Sequence, residues 1–114
     1  MGFYCYVLAS SPGGTLYVGH TENLTVRLSQ HRQQLRPGFT ARYGVDQLVW
    51  FSHHDTRAGA RAREQQLKKW NRAWKIRLIR AFNPGWQDLY EGFLSGEVEA
   101  WQGPLPDLRP VETE

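Results

Sequence analysis

The sequence predicts a small α+β domain, and three observations carry that prediction. Two aromatic and β-branched runs flank a Ser-Ser-Pro-Gly-Gly turn, a third such run follows, and two stretches repeat apolar residues at helical spacing. At 114 residues the chain is long enough for one modest core, burying roughly two-thirds of its unfolded surface. A boundary is expected near residue 90, with residues 91–114 forming an acidic, Pro-containing and partly disordered extension.

"FYCYVLA" (Phe3–Ala9) is the first strand and "TLYVG" (Thr15–Gly19) the second, joined as a hairpin by turn residues. A four-residue loop, Ser10–Gly13, sets Tyr6 opposite Tyr17 with both phenols on one face. A loop one residue longer or shorter would put them on opposite faces. Thr21 or Asn23 caps a helix over about residues 24–34, with Leu24, Leu28 and Leu35 as its apolar stripe. Arg27 and His31 are four apart, hence one turn apart on one face, and Pro37–Gly38 ends the helix. Gly19 is read as the residue that lets the chain turn from strand to helix.

"GFTARYG" (Gly38–Gly44) suits one helical turn or an ordered loop. "QLVWFSHH" (Gln47–His54) is the third strand, apolar on both faces over Leu48–Phe51, which suits a central or covered position. Asp55 or Thr56 caps a long helical stretch marked by Leu67, Trp70, Trp74 and Leu78, weakest at Asn71–Arg72, where a kink or break is expected. "NPGW" (Asn83–Trp86) is a turn, and "WQDLYEGFL" suits one more short helix.

Charge is strongly polarised along the chain. Residues 1–80 hold thirteen Lys and Arg against four acids, whereas residues 81–114 hold one Arg against seven. A body this basic points to a polyanionic partner, nucleic acid first among them. Cys5 is the only cysteine and sits in an aromatic run, so disulfide and multi-Cys zinc frameworks are excluded. No apolar run approaches the roughly 18 residues of a membrane span, and no basic-then-apolar leader opens the chain. The expectation is a cytoplasmic protein that does not engage a membrane.

Nucleotide-binding glycine motifs are absent. "HHD" (His53–Asp55) tempts a metal reading, but neighbours at a strand end point to opposite faces, and loop filler is the simpler reading. A two-metal site needs clustered carboxylates, and the basic body has only Glu22, Asp46, Asp55 and Glu64, widely separated. Glu64 stands alone among Arg57, Arg61, Arg63, Lys68, Lys69 and Arg72. Its ordinary role is an i,i+4 surface pair with Lys68. Its alternative role is a single carboxylate that holds a divalent cation beside a phosphate-binding surface.

These pieces together resemble the GIY-YIG endonuclease superfamily, in particular its small stand-alone members. Tyr6, a short hairpin, "YVG" (Tyr17–Gly19), Arg27, His31 four residues later and Glu64 in a later helix follow the family's order. "LYVGHTENLTVRLSQH", "FTARYG", "LVWF", "AREQQLKKWNRAWK" and "NPGWQDLY" agree with it, so the likeness spans roughly Phe3 to Tyr90. One departure stands out: the Gly-Ile of the first motif is Tyr4-Cys5, a pair that a strand tolerates better than Gly.

The resemblance implies a three-stranded antiparallel sheet flanked by helices, and metal-dependent hydrolysis of nucleic-acid phosphodiesters. It implies DNA ahead of RNA as substrate, a setting in repair or recombination, and one Mg²⁺ or Mn²⁺. Tyr17 would be the general base; a phenol, ordinarily near pKa 10, needs cationic help for that. Tyr6 would position Tyr17 or the water, Arg27 would clamp the scissile phosphate, and His31 would support that phosphate or relay a proton. Glu64 would hold the metal. Gly19, His20, Arg42 and Lys68 are expected on the substrate side. A second reading keeps the fold as a catalytically inactive nucleic-acid-binding module.

Overall fold

The computed structural model describes residues 2–33, 43–103 and 105. Three strands, β1 (Phe3–Ala9), β2 (Leu16–Thr21) and β3 (Gln47–His54), form an antiparallel sheet ordered β2-β1-β3. Four helices accompany it among the described residues: α1 (Leu24–Arg32), α2 (Arg57–Lys69), α3 (Arg72–Phe82) and α4 (Tyr90–Ser95). The α+β expectation and the antiparallel sheet both hold.

The hairpin register differs from the sequence expectation by two residues. Tyr6 faces Gly19, and Leu8 faces Tyr17. The loop extends to Thr15 because Pro12 and Gly13 (φ 69°) form a turn closed by Gly14 N–H donating to the Ser11 carbonyl at 2.8 Å. Ser10 Oγ also accepts from Thr15 N–H at 3.0 Å. An even shift preserves the pleat, so Tyr6 and Tyr17 still share a face, now as diagonal neighbours.

β1 is the central strand, and β3 is covered without being central. A register irregularity between Val7 and Leu8 lets β3 pass from Trp50 to Leu48 across one step of β1. Val49 is the extra residue, and the run is apolar on both faces because each face packs into a core cluster. Val7, Val18, Val49 and Trp50 pack with Leu67, Leu78 and Ile79 of α2 and α3. On the other face Tyr6, Leu8, Leu48 and Phe51 pack with Leu24 and Leu28 of α1, and with Leu89.

Caps explain where the helices begin. Asn23 Oδ1 accepts from Val26 N–H at 3.1 Å and Thr56 Oγ1 from Gly59 N–H at 3.0 Å, which decides both paired alternatives. The long helical stretch does break, at Trp70, whose ψ of 150° leaves the helix, and Asn71 recaps α3 through Trp74 N–H at 2.9 Å. Trp70 packs on the core, while Trp74 meets Trp70 edge-on at a half-buried position, 6.2 Å between centroids.

The segment after residue 90 also reaches the sheet. Phe93, Val98 and Ala100 pack against the Tyr6–Leu8 core, and Trp101 N–H donates to the Phe51 carbonyl at 2.8 Å. Residues 106–114 lie outside the described residues, as do Leu35, Pro37, Gly38 and Arg42.

Candidate active site

Strand alternation and one helix build the first part of the site. Tyr6 of β1, with Tyr17 and Gly19 of β2, occupies the face that α1 covers. On α1, residues 24, 28 and 31 share the buried side, so His31 extends the leucine stripe and is only 8% exposed. His31 thereby meets the sheet: its Nε2 lies 3.3 Å from the Tyr6 hydroxyl. Ring centroids close a triangle of 6.3 Å (Tyr6–Tyr17), 6.0 Å (Tyr6–His31) and 5.6 Å (Tyr17–His31). Arg27, one turn before His31, hydrogen-bonds the Tyr6 hydroxyl.

Gly19 lies within β2 rather than at a turn, which corrects the sequence reading. Its role is space: a Cβ here would stand 2.7 Å from the Tyr6 oxygen and 3.0 Å from Tyr17 Cε2. Tyr6 is fully buried across it. Burial, and then the neighbouring Tyr17, push the Tyr6 hydroxyl above the ordinary phenol range, and Arg27 only partly opposes them. Tyr6 is therefore a protonated hydrogen-bonding group at neutral pH.

Glu64 forms the second part, on the other side of β2. His20 pairs with Cys5 in register and so projects to the face packed by α2. Its Nδ1 contacts Glu64 Oε1, and Lys68 Nζ holds Glu64 Oε2 at 2.5 Å. Burial acts to raise the Glu64 pKa, yet the hydrogen bonds from Lys68 and His20 outweigh it and hold the carboxyl below the ordinary Glu range. An ionised carboxylate, 14% exposed at the side chain, results. Its charge adds the smallest of the upward pushes on the Tyr6 hydroxyl.

Tyr6, Tyr17, Arg27 and His31 thus come together on one face of β2, and His20, Glu64 and Lys68 come together on the other. Arg42 lies outside the described residues. Among the described residues no three His, Cys, Asp or Glu side chains cluster as a metal cage. His53 and His54 do diverge, facing Tyr4 and Phe3 respectively. With Asp55 they line a cavity of about 480 Å³, shared with Ser52, Arg63 and Trp101. No described helix is long and apolar enough to cross a membrane.

The model of the GIY-YIG catalytic domain matches residues 2–77. This chain belongs to the GIY-YIG family. A UPF0213 protein of Pediococcus pentosaceus is 34% identical over 79 residues, covering 69% of this chain and 82% of that one. A UPF0213 protein of Syntrophus aciditrophicus is 36% identical over 78 residues, covering 68% and 88%. The solution NMR structure of a UPF0213 protein from Bacillus halodurans shares the fold, with a TM-score of 0.50 at 22% identity, covering 80% of this chain and 96% of that one.

Within this GIY-YIG domain the Tyr4-Cys5 departure is accommodated without disturbing β1. Tyr4 turns toward Phe51, His53 and Phe93, at 6.3, 5.2 and 5.7 Å between centroids, and its bulk falls in that aromatic cluster. Cys5 is buried under α2, where burial pushes its thiol up to about 12. Membership makes nucleic acid the general partner class of this nuclease-type fold.

Proposed function

We propose that this GIY-YIG domain is a metal-dependent endonuclease that hydrolyses DNA phosphodiester bonds, in repair or recombination. The observation that carries the reading is the meeting of Tyr6, Tyr17, Arg27 and His31 around one point, with an ionised Glu64 of α2 joined to His20 on the opposite face of β2.

A divalent cation fits this donor set. Glu64 is ionised and partly exposed, and Mg²⁺ commonly binds one or two carboxylates with substrate phosphate and water completing its shell. Glu64 would hold the cation, which supplies charge neutralisation at a phosphate oxygen and polarises water. His20 and Lys68 orient the carboxylate.

The two phenols divide the work. Tyr6 is buried and protonated, so it suits holding a neighbour in place rather than taking a proton. Tyr17 is half-buried on the edge strand and within reach of substrate, which supports its role as general base toward water. Arg27 is braced on the Tyr6 hydroxyl, leaving guanidinium donors for the scissile phosphate and its growing charge. His31 also braces Tyr6 and packs on Tyr17, fixing the ring that accepts the proton.

Incubation with linear, flapped and branched DNA and with RNA, in Mg²⁺ or Mn²⁺, tests the reading. Cleavage of DNA ahead of RNA is expected, with Tyr17→Phe and Glu64→Ala each lowering the rate by about 100-fold or more. Cleavage that survives both substitutions would sink the mechanism. Binding without cleavage of any substrate would make the domain a binding module.

A further inference from the structure

The junction of α2 and α3 carries three cations, of which the cleavage chemistry uses only Lys68, as a partner of Glu64. Lys68 lies in the last turn of α2, Arg72 opens α3, and Lys75 follows three residues later on the same face as Arg72. The β1–β2 loop fixes Arg72, whose guanidinium donates to the Gly13 carbonyl and, at 2.6 Å, to the Gly14 carbonyl. Glu64 fixes Lys68 from the site itself.

Arg72 is thus fixed at the hairpin tip, and the charges of Lys68 and Arg72 both act on Lys75. Among the described residues Glu64 is the only acid in an ion pair with any of them. Their crowding has a visible cost: burial first, then the charges of Lys68 and Arg72, push the Lys75 ammonium below the ordinary Lys range. α3 also begins with no acid in its first turn, so the positive end of its dipole adds to the field. A row of phosphates would relieve all of these at once.

We propose that Lys68, Arg72 and Lys75 form a phosphate-backbone track that holds the nucleic-acid strand running from the candidate active site toward the β1–β2 hairpin tip. The track takes its substrate class from the nuclease reading but does not depend on the chemistry. Lys68 joins the two, since it contacts Glu64 and its charge acts on Lys75. Contacts of this kind set register and affinity and carry no base information.

Fluorescence anisotropy with a labelled DNA duplex tests the track, with EDTA present so that cleavage does not intervene. Lys75→Gln is expected to weaken binding several-fold at low salt and to reduce the slope of log Kd against log salt by about one phosphate contact. Lys75→Arg keeps the slope. Arg77→Gln removes one charge from another face of α3, where Arg77 is exposed, and leaves the slope unchanged. Urea midpoints equal to that of the unsubstituted protein establish that each variant is folded. Equal losses in Lys75→Gln and Arg77→Gln, or no loss in either, would overturn the track and leave the cleavage reading standing. Tight, Lys75-dependent binding without cleavage in Mg²⁺ or Mn²⁺ supports the track and removes the nuclease reading. A protein that binds no nucleic acid at all overturns both.

Discussion

Gly19 and Tyr6 face each other across β1 and β2, and the phenol fills the space that a side chain at Gly19 would need. This pair ties the edge strand to the buried centre of the site. Gly19→Ala would place its methyl 2.8 Å from Tyr6 Cζ, where a fully buried ring has nowhere to move. Overpacking of this kind costs about 1–3 kcal/mol, to be read from urea unfolding. Combined with Tyr6→Ala, the loss should fall short of the sum of the single losses, because the clash is removed. Simple additivity would show that Gly19 is needed for another reason.

Acid should weaken the fold partly through Glu64. Its folded pKa lies below the ordinary Glu value of 4.5, so its contribution is fully present above that pH and is lost as pH falls through the folded value. Unfolding midpoints between about pH 3 and pH 6 should show a steeper acid limb for the unsubstituted protein than for Glu64→Gln. Parallel curves would mean that His20 and Lys68 do not stabilise the carboxylate.

Cys5 should resist thiol reagents while the protein is folded. It is fully buried, and burial raises its thiol to about 12, so little thiolate exists near neutrality and none is accessible. Labelling with a chromogenic disulfide should proceed only after denaturant is added. Fast labelling of the native protein would place Cys5 at the surface.

Asp88 should matter more than a surface acid usually does. Its Oδ1 accepts from Leu48 N–H and Tyr90 N–H, each at 3.1 Å, while Oδ2 pairs with Arg32, whose guanidinium lies 4.4 Å over the Tyr90 ring. Asp88→Ala would strand the backbone donor of a fully buried residue, at a cost of about 1–3 kcal/mol. Asp88→Asn keeps an acceptor and should lose less. Equal losses would place the energy in the Arg32 ion pair.

Much of the site was legible because its parts are local. Turn residues announce the hairpin, alternation puts Tyr6 and Tyr17 on one face, and four-residue spacing aligns Arg27 with His31. The hairpin register was not legible, since loop length depends on how the Ser11–Gly14 turn closes. The error was harmless because an even shift keeps the pleat. His31 as a buried residue could have been read from the 24, 28, 31 spacing, but a histidine on a leucine stripe does not announce whether it faces core or solvent.

The sequence by itself determined the element order, the pairs of candidate caps, a weak point near Asn71–Arg72 in the long helical stretch and the residue types available for phosphate chemistry. These follow from neighbours within a few positions. The tertiary structure alone decided that β1 is central, that Gly19 makes room for Tyr6, and that Glu64 meets His20 across 44 positions of chain. It also decided which phenol is buried and which lies at the sheet edge. The reason is physical: burial, close approach and charge pairing arise between segments distant in sequence, and only packing brings those segments together.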